Sequence, residues 1–474
     1  MTTRKTALAL ILLILVAVAV LQIWNRPVDR DEGFWIYTSW RFAEGELPYR
    51  DFALPHLPLA PMYYAGAAGI MGPSLYGLRA LNVALFLLGA GALGLAAYRR
   101  FGPTAGFLTT VFYLSSSLTL TWLVPVKAYA PAVTALALAA AVWIWPGRRE
   151  GIGYGRAAVV GLLLGLATLA RLPLLVTVAA AAFGLWFNSA SGFGGRLGRV
   201  GALCLGFLAV APVVIYFRAA TGDAFAFNVW GIHELFIGDG AAGRGAAIRG
   251  LLTPPDPAIL IFAAALALGS RHRRALAFPF AAGAFLLVAN LAPGTAQLQY
   301  FVPMVAVLAP AAAVGAEWLW QRRRDAAAVL VTAAAFLGVM RPAAKIALDR
   351  AHKELVGPAE VYAAAALLAE HSEPDEVVFT AWPGYAALAH RRVIAGWELG
   401  YFTHRIGVRM DAAGRRRYHM MTYEETAEVL KRGDAGVALD ALDTPKDLEP
   451  VLHTYFEAAD ERRGAVLRRF REAR

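Results

Sequence analysis

Apolar runs of membrane-spanning length recur along this chain from its first residues, and they constrain the fold more than any other feature. A hydrocarbon core of about 30 Å needs roughly 20 apolar residues per helix, within a range of about 17–25. The first run covers residues 8–24, behind Arg4 and Lys5. It is followed by Asn25, Arg26 and Pro27 rather than by a small-residue cleavage site, so it reads as an uncleaved anchor. Further runs lie at 76–98, 104–123, 129–146, 157–171, 173–188, 200–218, 258–270, 275–292, 299–320 and 326–341, about eleven spans in all. Residues 58–71 are apolar but interrupted by prolines and read as a re-entrant or interfacial helix. Only 17% of the residues are charged and 58% are hydrophobic, which excludes an ordinary cytosolic enzyme and a disordered chain alike. The single cysteine, Cys204, sits inside an apolar run, so neither a disulfide framework nor a thiolate metal site is available.

Charge divides the chain. Residues 1–344 carry 26 Lys and Arg against 13 Asp and Glu, whereas residues 345–474 carry 19 against 21. The expected organisation is therefore a basic, apolar membrane part over 1–344 and a soluble part over 345–474. The arginines punctuate apolar spans, so the basic balance reflects loops at a membrane surface and does not point to nucleic acid. With Arg4 and Lys5 in the cytoplasm, alternate loops hold Arg99–Arg100, Arg148, Arg149 and Arg156, Arg196 and Arg199, Arg271, Arg273 and Arg274, and Arg322, Arg323 and Arg324. All fall on one side, as the positive-inside rule requires. The expected location is the inner (cytoplasmic) membrane, with the N-terminus cytoplasmic and the carboxy-terminal part outside.

Six of the thirteen acidic residues before position 345 crowd one outside loop, at 25–75: Asp29, Asp31, Glu32, Glu44, Glu46 and Asp51. The loop runs from Asp29-Arg30-Asp31-Glu32-Gly33-Phe34-Trp35 through Gly45-Glu46-Leu47-Pro48-Tyr49 to Pro55-His56-Leu57-Pro58-Leu59. A carboxylate held at the membrane–water interface can take a proton from a hydroxyl or orient a cation. A solvated loop rich in turn residues would have the same composition, and from composition the two readings are equally open.

An Asp-Glu pair just after the first span, an aromatic-rich helix, a Gly-x-x-Pro-Tyr turn and a His-x-Pro-Leu element together resemble the integral-membrane glycosyltransferases of the GT-C fold. The resemblance is to the bacterial branch related to protein mannosyltransferases and to the aminoarabinose transferases of lipid A. Gln299-Tyr300-Phe301-Val302-Pro303 is similar to that family's Arg-Tyr-x-x-Pro element, with Gln299 in place of the arginine. The resemblance implies a mainly α polytopic helical bundle with a small extracytoplasmic α/β domain at the carboxy terminus. It implies a hexosyl- or pentosyltransferase that takes sugar from a polyprenyl phosphate at the outer face and passes it to a hydroxyl of a lipid, glycan or protein, with inversion. It places the base at Asp31, with Glu32 beside it and Asp29 as the alternative register. No cofactor is implied with certainty; a divalent cation stays open, and no metal ligand is assigned.

A phosphate leaving group needs cationic or hydrogen-bond stabilisation as its charge grows. Lys127, the only charged residue between Arg100 and Arg148, lies in a short outside turn. A lysine at such depth either snorkels or serves the site. Arg171 occupies the outside turn of a helical hairpin, and its planar fork suits phosphate oxygens; an interfacial anchor is the competing reading. Arg79 is a weaker candidate. His56 and Tyr129 are candidate substrate contacts, set against interfacial hydrogen bonding. The outside loop at 219–257 adds His233 and Glu234 as candidates, followed by the glycine-rich run 238–245, whose backbone freedom suits a lid or a plain linker.

Beyond residue 342 the pattern alternates: helices at 359–371, 386–390 and 423–432, strands at 376–380, 392–395 and 436–440. That predicts a small α/β unit. Its arginines at 415–417, 462–463 and 468–469 read first as solvated faces, and next as contacts to anionic headgroups or glycans. Two other functions remain: a flippase or exporter of lipid-linked sugars, and a non-catalytic glycan-assembly protein. No internal repeat favours transport, and the polar residues gather at one face rather than at mid-membrane.

Overall fold

The computed structural model describes residues 2–147, 152–187, 192–235, 245, 248–249, 251–252, 255–292, 297–351, 356–374 and 376–471. The glycine-rich stretch 238–244 and the arginines at 148 and 149 lie outside these. Over the described residues the chain is mainly helical with one small sheet.

Helices occupy the apolar runs. Leu75–Phe101, Tyr129–Ile144, Tyr154–Ala170, Pro255–Leu266, Ala277–Leu291 and Val302–Trp320 are apolar nearly all round, as helices buried among others or in lipid must be. Among the described residues, three helices are long and apolar enough to cross a membrane, or four if the bent pair Phe193–Leu208 and Ala211–Thr221 is one span; several shorter apolar helices join them. The protein is membrane-embedded. Val302–Trp320 forms the centre of the bundle, with 83% of its most apolar window buried, whereas 22% is buried for the first helix. Small residues let neighbours approach closely: a Cβ on Gly161 would lie 2.0 Å from the Leu203 carbonyl oxygen.

Three details depart from the expected map. The run at 104–123 breaks at Ser116 into Pro103–Ser115 and Ser117–Trp122, and the buried Asp256 carboxylate accepts the Ser117 amide at the new N-terminus, at 2.9 Å. The run at 200–218 bends by 40°. The last long helix, Arg324–Ala351, continues past Pro342 instead of ending there.

Residues 358–470 form an α/β part. Its strands are β1 (Val377–Thr380), β2 (Arg392–Val393), β3 (Val437–Asp440), β4 (Phe456–Arg462) and β5 (Ala465–Phe470), in the order β2-β1-β3-β5-β4. β1 runs parallel to β2 and β3, while β5 runs antiparallel to β3 and β4. The hairpin β4–β5 carries the arginines at 462–463 and 468–469. Arg468 is buried and faces Asp440 at 3.4 Å, and Arg462 pairs with Glu370 at 2.8 Å.

The acidic loop that follows the first helix packs into this α/β part rather than standing free. Phe34, Trp35, Tyr37 and Trp40 share one apolar core with Val361, Phe379, Trp382 and Trp397. Gly33 is required there: a Cβ would lie 2.6 Å from the Trp382 indole nitrogen. The same indole N–H donates to the Asp29 carbonyl at 3.3 Å, and the Tyr37 hydroxyl accepts the Val393 amide at 3.1 Å.

Candidate active site

The acidic loop folds as the helix Arg30–Ala43, opened by a capping box. Asp29 is the N-cap, and its Oδ1 accepts the Asp31 amide at 2.9 Å. Glu32 reaches back to accept the Asp29 amide at 2.8 Å. Anionic side chains in a first helical turn are favoured by the helix dipole, so the acidic cluster also stabilises the element that carries it.

Asp29 and Asp31 are brought together around Lys127. Its ammonium lies 2.7 Å from Asp29 Oδ1 and 2.8 Å from Asp31 Oδ2, and 5.0 Å over the Trp122 ring. Lys127 is 5% exposed, whereas each carboxylate is 22% exposed, so the acids are the more open side of the cluster. Burial acts to raise the Asp29 carboxyl, but the Lys127 charge and hydrogen bond, with help from the Asp31 amide and Arg26, hold it below its ordinary value. Burial likewise acts against the Lys127 ammonium, and Asp31 and Asp29 outweigh it, so Lys127 titrates above its ordinary value. Tyr401 of the α/β part approaches the same centre, its hydroxyl donating to Asp31 Oδ1 at 3.3 Å.

Glu32 has a different environment. Its side chain and that of Arg79 are both fully buried and paired at 2.6 Å, with a second contact from Arg79 Nε at 2.8 Å. Glu32 Oε1 also accepts the Val126 amide at 2.9 Å. Arg79 donates in addition to the carbonyls of Ile23, Arg26 and Pro27, at 3.3, 2.8 and 3.1 Å. Both Glu32 oxygens are therefore occupied and sealed from solvent. The carboxylate ties the end of the first helix, the acidic helix and the turn bearing Lys127 together.

That turn is held by further polar groups that sequence reasoning did not single out. Asn82 donates to the Val124 and Pro125 carbonyls at 3.3 and 2.7 Å. The Tyr64 hydroxyl lies 2.6 Å from the Lys127 carbonyl oxygen and 3.0 Å from Asn82 Oδ1. The available signal was the pair Arg79 and Asn82, three residues apart on one face of an otherwise apolar helix.

Arg171 ends the helix Tyr154–Ala170, where the chain turns to extended backbone. Its guanidinium is stacked between two aromatic rings, 4.1 Å from the centroid of Tyr129 and 5.1 Å from that of Tyr300. Tyr300 belongs to the turn Leu298–Phe301 that precedes the central helix. Among the described residues no carboxylate lies within ion-pair distance of Arg171. His56 stacks on Trp35 with 4.8 Å between ring centroids, and burial, followed by Arg171, His233 and Lys127, pushes its pKa down to about 3. The imidazole is thus neutral, and those three cationic or titratable groups surround it. His233 and Glu234 follow a π-helical turn, Phe227–Gly231, and are exposed. Among the described residues, no group of three or more His, Cys, Asp or Glu is placed to hold a metal ion.

The Gly-x-x-Pro-Tyr turn is tied to the His56 segment. Tyr49 takes a positive φ of 73° and is buried against Phe217 and Phe225, its hydroxyl donating to the His56 carbonyl at 2.7 Å. A positive φ at a bulky residue is strained and persists only where its surroundings fix it.

The architecture is similar to solved structures of ArnT from Cupriavidus metallidurans. One, bound to undecaprenyl phosphate, has a TM-score of 0.65 at 15% identity; the other, in the apo state, has 0.66 at 14%. Each match covers 98% of this chain and 98% of that chain. It is also similar to the archaeal oligosaccharyltransferase AglB from Archaeoglobus fulgidus in complex with an inhibitory peptide and a dolichol-phosphate. That match has a TM-score of 0.53 at 12% identity, over 96% of this chain and 73% of that chain. No family model and no curated protein matches the sequence. ArnT and AglB are membrane glycosyltransferases of the GT-C fold, and this chain has that fold.

Proposed function

From the GT-C fold and the carboxylate centre, we propose that the protein is a membrane glycosyltransferase that moves a sugar from a polyprenyl-phosphate donor to a hydroxyl of a lipid, glycan or protein. The observation that carries the reading is Asp31: a partly exposed carboxylate fixed at Oδ2 by a buried lysine, in a chain whose fold is that of ArnT bound to undecaprenyl phosphate. Asp31 is the base. As the acceptor oxygen bonds to the anomeric carbon, its proton passes to Asp31, and the bond from that carbon to the phosphate oxygen breaks with inversion. Phosphate leaves as the lipid-linked anion, so no strong acid is needed.

Arg171, which has no carboxylate within ion-pair distance among the described residues, receives that phosphate. Its planar group is pre-oriented by Tyr129 and Tyr300, which leaves its edge donors for two oxygens. Lys127 joins it by exchanging one carboxylate for a donor oxygen; with two carboxylates and one ammonium, its cluster alone keeps a net negative charge. Asp29 shares the lysine with Asp31, and Glu32 supports the base through the helix and turn rather than by touching substrate. His56, His233 and Glu234 are the neighbouring polar groups for sugar or acceptor. In this reading the acidic loop and residues 345–474 face outward from the cytoplasmic membrane, the N-terminus lies inside, and the apolar helices receive the polyprenyl tail from the bilayer.

The test is mass spectrometry of lipid extracts from wild-type, deletion and Asp31→Asn cells. Accumulation of the same polyprenyl-phosphate sugar in the deletion and the point mutant supports the transferase and names the donor. Accumulation in the deletion alone points to transport or to a structural role, and overturns the assignment of Asp31.

A further inference from the structure

Asp31 is held from two directions by parts of the chain far apart in sequence. Lys127, in the turn between two apolar helices, holds Oδ2. Tyr401, 370 residues further along than Asp31, approaches Oδ1. We propose that Tyr401 is a positioning residue for the base, so that the carboxy-terminal α/β part completes the active centre instead of only covering it. The inference rests on the transferase reading above.

Backbone geometry supports the assignment independently of the hydrogen bond. Tyr401 opens the helix Tyr401–Gly407, and the residue before it, Gly400, has φ 58° and ψ −134°. A Cβ at Gly400 would meet the Ala381 carbonyl oxygen at 2.7 Å and Pro383 Cδ at 2.9 Å. Only glycine fits this conformation and this space. The turn that delivers the tyrosine is thus braced on the Ala381–Pro383 segment, whose Trp382 covers Gly33 in the helix of Asp31. Next to it, Phe402 meets Phe34 edge-on at 5.9 Å. The Arg30 guanidinium lies 5.7 Å from the Tyr401 ring centroid and pairs with Asp443 at 2.6 Å. Asp31 and Arg30 thus meet the phenol itself, while Phe402 and the Gly400 turn fix the backbone that carries it.

The phenol stays a donor. Burial, then the charges of Asp31 and Asp29, raise its pKa above the ordinary tyrosine value, so it keeps its proton at neutral pH. It cannot compete as base. Its bond to Oδ1 restricts rotation of the carboxyl plane, leaving the remaining lone pairs for the acceptor proton. The charged groups facing Asp31 are Asp29 and Arg30 on its own segment, Lys127 from the turn, and Asp443 from the α/β part; Arg26 acts through Asp29.

The experiment compares purified wild type, Tyr401→Phe and Tyr37→Phe in lipid nanodiscs. Donor is the total lipid extract of cells lacking the protein, and acceptor is the membrane fraction of the same cells. Tyr401→Phe keeps the ring and its packing. Tyr37→Phe removes a different hydroxyl bond between the same two parts, that to the Val393 amide. The expected result is that Tyr401→Phe alone lowers kcat about 3- to 10-fold with little change in KM for the donor. A Tyr401→Phe protein with wild-type kcat overturns the inference, as does a rise in donor KM that accounts for the loss, or an equal loss of kcat in Tyr37→Phe, which would make the effect one of docking. Absence of transfer by the wild type refutes the functional reading itself, and the inference with it.

Discussion

Replacing Glu32 by glutamine separates two adjacent carboxylates that composition treats alike. Glu32 accepts four hydrogen bonds, two from Arg79 and one each from the Val126 and Asp29 amides. Glutamine keeps the shape but presents one acceptor oxygen and one NH2 group, so at least one of these donors meets another donor. Arg79, fully buried, also loses its counter-charge. Removing one partner of a buried ion pair costs about 3–5 kcal/mol. The three carbonyls that Arg79 retains, of Ile23, Arg26 and Pro27, place the expected loss toward the lower end, at about 3 kcal/mol. Thermal unfolding in nanodiscs should therefore show Glu32→Gln melting well below the wild type, while transfer measured below its melting range survives at a reduced rate. Asp31→Asn should do the reverse, melting close to the wild type and losing transfer, because its carboxylate is partly open to solvent. The paired apolar replacement Glu32→Leu with Arg79→Met should lose less than the two single changes together, since no charge is then stranded. A Glu32→Gln protein that melts like the wild type but has no transferase activity would refute the argument, and would return Glu32 to the reacting atoms.

Three other outcomes follow from the geometry. Burial pushes the Glu398 carboxyl up to about 7, and its Oε2 has no hydrogen-bond partner among the described residues. The native state then holds a proton that the unfolded chain has released, so stability contributed at low pH is lost as pH rises from about 4.5 to about 7, by an order of 3 kcal/mol. Glu398→Gln should flatten that dependence and raise the melting temperature at pH 8; an unchanged slope would refute it. Gly33→Ala should weaken docking of the α/β part by about 1–3 kcal/mol, since its Cβ would lie 2.6 Å from the Trp382 ring nitrogen, and limited proteolysis should then cut between residues 345 and 360 faster than in the wild type. Arg171→Lys keeps the charge but loses the stacked plane between Tyr129 and Tyr300, so KM for the lipid donor should rise about tenfold, and an unchanged KM would remove Arg171 from the donor site.

Much of the membrane part was legible because the bilayer imposes length and polarity at once. Helices lie at each of the expected apolar runs, and Leu59–Met71 at the proline-interrupted one. The break at Ser116 was not legible, because it depends on Asp256 arriving to cap the new N-terminus from far along the chain. In the α/β part, strands β1, β2 and β3 fall where the apolar alternation puts them. The hairpin β4–β5 was missed because its arginines mask the pattern. Arg469 sits opposite Glu457 across the ladder and Arg468 turns inward to Asp440, so charges that resemble a solvated face are satisfied within the sheet. Lys127 was found from its isolation in an apolar stretch, but its carboxylate partners were not, since pairing depends on a turn fixed by Asn82, Tyr64 and Glu32. Tyr401 gave no local signal at all.

The divergence of Asp31 and Glu32 follows from helix geometry once the cap is known. Neighbours on an α-helix point about 100° apart, so two consecutive carboxylates cannot face one substrate equally. The capping box decides which one turns inward. With Asp29 as N-cap, Glu32 stands at the third helical position and must bend back to the Asp29 amide, which directs it under the helix start toward Arg79. Asp31, at the second position, is left on the other side, where Lys127 and Tyr401 meet it and solvent still reaches it. A cap one residue earlier would put Asp31, instead of Glu32, at the third helical position. The short sequence Asp29-Arg30-Asp31-Glu32 therefore encodes both a reactive carboxylate and the buried anchor that aims it, and the choice between them is made by one backbone amide.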